Sequence, residues 1–159
     1  MTETTKQTPV IPATQAALPF ETKGWAAMPH ALMEIYTLHP DFNANTALVY
    51  AYLVKNYNRS YGYSFPTFDE MEVVLNISRS TVDKAIETLR KLRVINATKH
   101  PYYGNNVYTL NPLIETVEEF AQVFSEEPEI AKRIARNKMR REKLRARKDA
   151  FKWKPGDAV

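Results

Sequence analysis

Residues 67–92, TFDEMEVVLNISRSTVDKAIETLRKL, leave this chain the fewest choices of fold. Thr67 stands three residues before Glu70. Its hydroxyl can accept from the Glu70 amide while the Glu70 carboxylate returns to the Thr67 amide, a capping box that opens a helix. Met71, Val74 and Leu75 then form an apolar stripe at helical spacing. Asn76-Ile77-Ser78 predicts a tight turn, with Ile77 plugging the gap between two helices and Ser78 capping the second. There Val82, Ala85, Ile86, Leu89 and Leu92 recur at three- and four-residue steps, which turns Arg79, Ser80, Asp83, Lys84, Glu87 and Lys91 outward.

The residues that follow add a hairpin. Residues 94–99 alternate and are rich in β-branched side chains. Residues 100–105 (HPYYGN) are turn-forming, and residues 106–110 (NVYTL) return as a partner strand. A helix pair with a three-residue turn and a trailing hairpin is the sequence pattern of a winged helix-turn-helix. A helix offered by its N-terminal end fits the major groove of B-DNA, and its free amides favour phosphate. The expected recognition residues are Ser78, Arg79, Ser80, Thr81 and Lys84. The wing tip offers Lys99, His100, Tyr102, Tyr103 and Asn105 to phosphate or the minor groove. The alternative for the helix pair is an ordinary core hairpin, and for the two tyrosines a cover over the sheet edge.

Upstream, residues 29–37 (PHALMEIYT) predict a first helix with Pro29 near its start and Leu32, Ile35 and Tyr36 on one side. Residues 43–46 supply a cap region for a helix over 47–57, apolar on nearly all faces and hence central or interface-forming. Residues 58–64 form a polar loop decorated with aromatics. The order of a P-x-x-L helix, an ALVYAYL helix, FPTFDEM…LNISRSTVDKAIETLRKLRVI and a Tyr/Gly/Asn wing resembles a known group. It is similar to the N-terminal winged-helix domains of phage and plasmid replication initiators and replisome organisers, including DnaD-like proteins, over about residues 25–112. The resemblance implies origin or operator DNA binding through the second helix of the pair and the wing. It does not separate initiators from transcription regulators.

Charge is split along the chain. Residues 1–131 hold ten Lys/Arg and fifteen Asp/Glu, whereas residues 132–159 hold twelve and three, so a body near −5 carries a tail near +9. The tail is the natural electrostatic anchor. Residues 1–22 read as a flexible leader, 23–112 as the winged-helix domain, 113–127 as an acidic segment and 128–159 as a basic helical tail. Within the acidic segment, residues 115–124 predict an amphipathic helix packed on the domain or on a second subunit. The tail begins at Pro128, consists of good helix formers, and offers Arg133, Arg136, Arg140, Arg141, Arg145 and Arg147 to nucleic acid. Three readings stay open for it: an arm tracking duplex phosphates, an RNA-binding helix with Trp153 stacked on a base, or a partner-binding extension.

Catalysis finds no support in the sequence. His30, His39 and His100 are scattered without metal-like spacing, and four glycines make no phosphate loop. No cofactor or metal is expected. The absence of cysteine excludes a disulfide scaffold and fits the cytoplasm. The expectation is a mainly α fold with a small β-hairpin, a winged helix-turn-helix with an extra C-terminal helix and a basic helical tail. Its expected partners are double-stranded DNA, RNA through the tail, a second copy of itself, and replication or transcription machinery, with no membrane. Origin binding in replication initiation is the leading function. Operator binding in transcription and RNA regulation through the tail are the alternatives.

Overall fold

The computed structural model describes residue 24 and residues 26–150. The expected leader, Phe151 and Trp153 lie outside the described residues. Within them the fold is mainly α with one small antiparallel hairpin, as expected from the sequence. Helix α1 (His30–Glu34) runs into a 3₁₀ turn (Tyr36–Leu38), so the single helix expected over 29–37 is shorter and tightens at its end. Pro40 explains the stop: its ring holds the preceding residue extended, and His39 sits at ψ 133.

Helix α2 (Ala44–Lys55) starts three residues earlier than expected. Asn43 caps it by accepting from the Asn45 and Thr46 amides. Thr46, Val49, Tyr50 and Leu53 are buried, while Leu48 faces solvent. Helix α3 (Phe68–Leu75) opens with the full Thr67–Glu70 capping box and ends at Asn76 in the left-handed region (φ 53). Helix α4 (Arg79–Lys91) is capped by Ser78, whose hydroxyl accepts from the Thr81 amide at 3.2 Å.

One expectation about α3 fails. Val74 is exposed, and the buried line instead runs through Phe68, Met71 and Leu75. At about 100° per residue, Val74 lies roughly 90° from that line. A helix of two turns wedged against α2 and α4 has room for only one narrow seam.

Strands β1 (Ile95–Lys99) and β2 (Asn106–Leu110) pair in the register Ile95↔Leu110 to Lys99↔Asn106. A third short edge joins them where Ser64 pairs with Tyr108, each amide donating to the other's carbonyl at 2.8 to 2.9 Å. Side chains alternate across this sheet. Ser64, Ile95 and Tyr108 point into the core, and Asn96, Thr98 and Thr109 point out.

Helix α5 (Val117–Val123) follows, capped by Thr116. Phe120 packs edge-on against Tyr36 at 5.1 Å between centroids, and the Tyr36 hydroxyl accepts from the Ile114 amide. The packing of the acidic segment on the domain is therefore intramolecular. Helix α6 (Pro128–Ala150) carries Pro128 in its first turn, where a missing amide proton costs nothing. Ile130 is buried in the same core as Leu32, Tyr36 and Phe120, with Ile134 packed against it. Acidic segment and tail root thus belong to the domain's single core.

Candidate nucleic-acid interface

The leading turn of α4 is open to solvent. Ser78, Arg79 and Ser80 are exposed and Thr81 is half-buried. The Ser78 hydroxyl lies 3.0 Å from that of Ser80 and 2.8 Å from that of Thr81, so three hydroxyls gather at one helix end. The first turn of α4 holds no acid of its own, so the negative charge at its positive dipole end comes from Asp69 of α3. The opposite holds in α3, whose first turn carries Asp69 and Glu70.

Arg79 does not stand free. Its guanidinium pairs with Asp69 and lies over the Phe68 ring, 5.5 Å from the centroid. The pair bridges the starts of α3 and α4 at the rim of a depression of about 230 Å³ that also takes in Lys99 and Asn106 of the hairpin. Both partners are exposed, so water screens their attraction. Lys84 is exposed one turn along. It lines a cleft of about 750 Å³ between α4 and the start of α2, with Asn43, Asn45, Thr81 and Thr88. Lys91, outward as expected, is committed elsewhere: its ammonium donates to Asp41 at 2.9 Å and to Glu127 at 3.4 Å.

At the hairpin tip the five expected residues divide. Lys99, Tyr102 and Tyr103 project into solvent, the two tyrosines at 89% and 82% exposure, so neither covers the sheet edge. His100 instead builds the turn. Its Nδ1 accepts from the amides of Tyr102 and Tyr103, and its own amide donates to the Asn105 carbonyl. Asn105 is half-buried. Gly104 (φ 68) supplies the left-handed residue the turn requires.

The tail residues divide too. Arg133 is an anchor, its Nη1 donating to the backbone carbonyls of Thr37 and His39, each at 3.3 Å. These carbonyls close the 3₁₀ turn, where a cation is favoured. Arg136, Arg140 and Arg147 share a face with Lys143, within an arc of about 60° at 100° per residue. Arg141 and Arg145 lie on another face, along a groove that also holds Glu34 and Glu118.

His39 sits under this anchor, fully buried against the Phe124 ring at 5.7 Å. Its Nδ1 accepts from the Asp41 amide at 3.2 Å. Burial pushes its pKa below the ordinary 6.5, and nearby Lys91 adds to the effect.

Sequence reasoning missed the pairing at Ser64 and the side chains it organises. Tyr61 stacks on Tyr63 (5.7 Å, 24°) and Tyr63 meets Phe65 edge-on at 6.0 Å. The signal was present as a two-residue alternation, Tyr61-x-Tyr63-x-Phe65, inside a segment read only as loop. No family model, curated protein or solved structure matches the chain.

Proposed function

We propose that the chain is a sequence-specific double-stranded DNA-binding protein of a phage or plasmid, acting in the cytoplasm at a replication origin. In this reading α4 enters the major groove by its Ser78-capped end, with Arg79 and Lys84 as base or phosphate donors. Lys99, Tyr102 and Tyr103 of the hairpin meet the flanking backbone or minor groove as a wing. The outer cations of α6 add salt-dependent affinity without sequence preference.

One observation carries the reading: the exposed, acid-free first turn of α4, with three hydroxyls and Arg79 at its tip. A helix pair serving only as core would have no need to hold that end open. The Asp69–Arg79 pair fits the same role, because an arginine stacked on Phe68 is held in one orientation before DNA arrives.

The test starts with selection of bound duplexes from random DNA by the full chain. Arg79→Ala with Lys84→Ala should then weaken the selected site by about 2 to 5 kcal/mol over nonspecific duplex. Thermal stability should hold, since exposed pairs contribute at most about 1 kcal/mol. Unchanged affinity of the double variant would remove α4 from the interface.

A further inference from the structure

We propose that the aromatic loop beside the Ser64–Tyr108 bridge, built on Tyr61, Tyr63 and Phe65, is a stacking platform for unpaired bases of single-stranded DNA. No role in duplex recognition uses these residues, yet the fold spends several specific interactions on presenting them. The Asn58 side chain accepts from the Ser60 and Tyr61 amides at 2.9 and 3.1 Å. Asn58 and Tyr63 pair across the loop, and Gly62 takes the left-handed conformation (φ 77) that lets the chain reverse there. The loop is therefore closed by its own hydrogen bonds, and the rings it presents lose little freedom when a base lands on them.

Alternation gives the direction. Ser64 faces inward with Tyr108, so Tyr63 and Phe65 flank it on the opposite side. Tyr61 stacks on Tyr63 and is 63% exposed, and Phe65 is 46% exposed. Neighbouring aromatic rings partly open to water, carried by a turn and the bridge that follows it, match the way successive bases of a single strand are held.

Charge selects this occupant over an apolar protein partner. Between Asp41 and Asp69 the chain has no acid and carries Lys55 and Arg59. Between Glu87 and Glu115 it again has no acid and carries Arg90, Arg93 and Lys99, with Lys91 held by Asp41 and Glu127. These two intervals contribute both strands, the Ser64 bridge, the aromatic loop and the hairpin tip. They form the acid-free part of a body whose residues 1–131 sum to −5. Glu70, which shares a shallow depression with Phe65, has its carboxylate on the Thr67 amide. An aromatic loop that itself carries Arg59 and no acid suits a polyanion whose units have π faces.

The choice of DNA rests on the proposed seat of α4 on duplex, because a strand opened beside that site would be the nearest unpaired nucleic acid. The two readings fail separately. The Arg79 and Lys84 variant reads duplex binding, whereas the present site is read with single strands of about 20 nucleotides at physiological salt. In the full chain, Tyr61→Ala with Phe65→Ala should weaken single-strand affinity at least about tenfold, and tryptophan at both positions should restore it. Duplex affinity should stay unchanged in both. Arg59→Glu should weaken single-strand binding without touching a ring. Irradiation of a single strand substituted with 5-bromouracil should attach it at Tyr61, Tyr63 or Phe65. The proposal is overturned by unchanged single-strand affinity in the alanine variant, by an equal loss on duplex, or by attachment confined to α6. Single-stranded RNA held more than about tenfold tighter would overturn the assignment to DNA.

Discussion

The two faces of α6 provide a direct test of how the tail reaches nucleic acid. Arg136, Arg140, Lys143 and Arg147 are exposed and fall within about 60° of one another on the helix. Lys138, Arg141, Arg145 and Lys148 occupy the opposite side, part of which faces the groove holding Glu34 and Glu118. Glutamine at all four positions of either set removes the same formal charge. If the outer set tracks phosphates, four lost contacts at about 0.9 per phosphate flatten the slope of log affinity against log salt by about 3.6. Across a fourfold change in salt this is about two orders of magnitude of affinity. The inner set should move the slope by about one or less, since a straight helix lays only one side on a duplex. Fluorescence anisotropy of a labelled duplex, titrated at several salt concentrations, reads both slopes. Equal flattening by the two sets would show that the tail acts as diffuse charge, and no flattening by the outer set would take α6 off the duplex.

Two further outcomes follow from the root of that helix. Ile130→Ala should destabilise the whole domain by about 2 to 4 kcal/mol, as a fully buried aliphatic does, rather than by the few tenths expected of an appended arm. Urea unfolding measures this, and a loss below about 0.5 kcal/mol would show that α6 is dispensable to the core. His39 is held neutral by burial, so the unfolded chain takes up the proton first. Its contribution is complete above about pH 6.5 and is lost as pH falls below that value toward the lowered folded pKa. Asp41, whose carboxyl Lys91 holds below the usual range, keeps its own contribution until lower pH. The melting temperature should therefore fall between about pH 7 and pH 5, and His39→Asn should flatten that fall. A wild-type melting temperature constant over this range, or a variant that keeps the full dependence, would contradict the buried-neutral assignment.

Local chemistry was the legible part of this chain. The Thr67–Glu70 capping box and the Ser78 cap involve residues within one turn, so three-residue spacing was enough to find them. The same holds for the hairpin, where alternation and a Gly104 turn sit side by side. What stayed hidden was set by contacts across the fold. Periodicity counted Val74 as apolar but could not say which arc of so short a helix would meet α2 and α4. Nothing in the order of residues places Asp69 on Arg79, ten positions away, or Lys91 between Asp41 and Glu127. Ser64 joins the sheet through one residue, and the alternation around it does not name Tyr108 as its partner. In the tail, composition pointed to a helix while concealing that Ile130 and Arg133 belong to the body and that only the later turns stand clear.

The grip of Arg133 on two backbone oxygens has a mechanical corollary. With its first turns fastened, α6 is a spoke rather than a leash, and the bearing of each outer cation is set by the hub. One extra residue spliced between Asn137 and Lys138 would swing every later side chain about 100° around the axis and carry it about 1.5 Å onward. Bulk composition would stay almost the same, yet Arg140, Lys143 and Arg147 would leave the line that Arg136 begins. The helix thus acts as a ruler, and its markings keep their meaning only while the count of residues from the clamp is preserved.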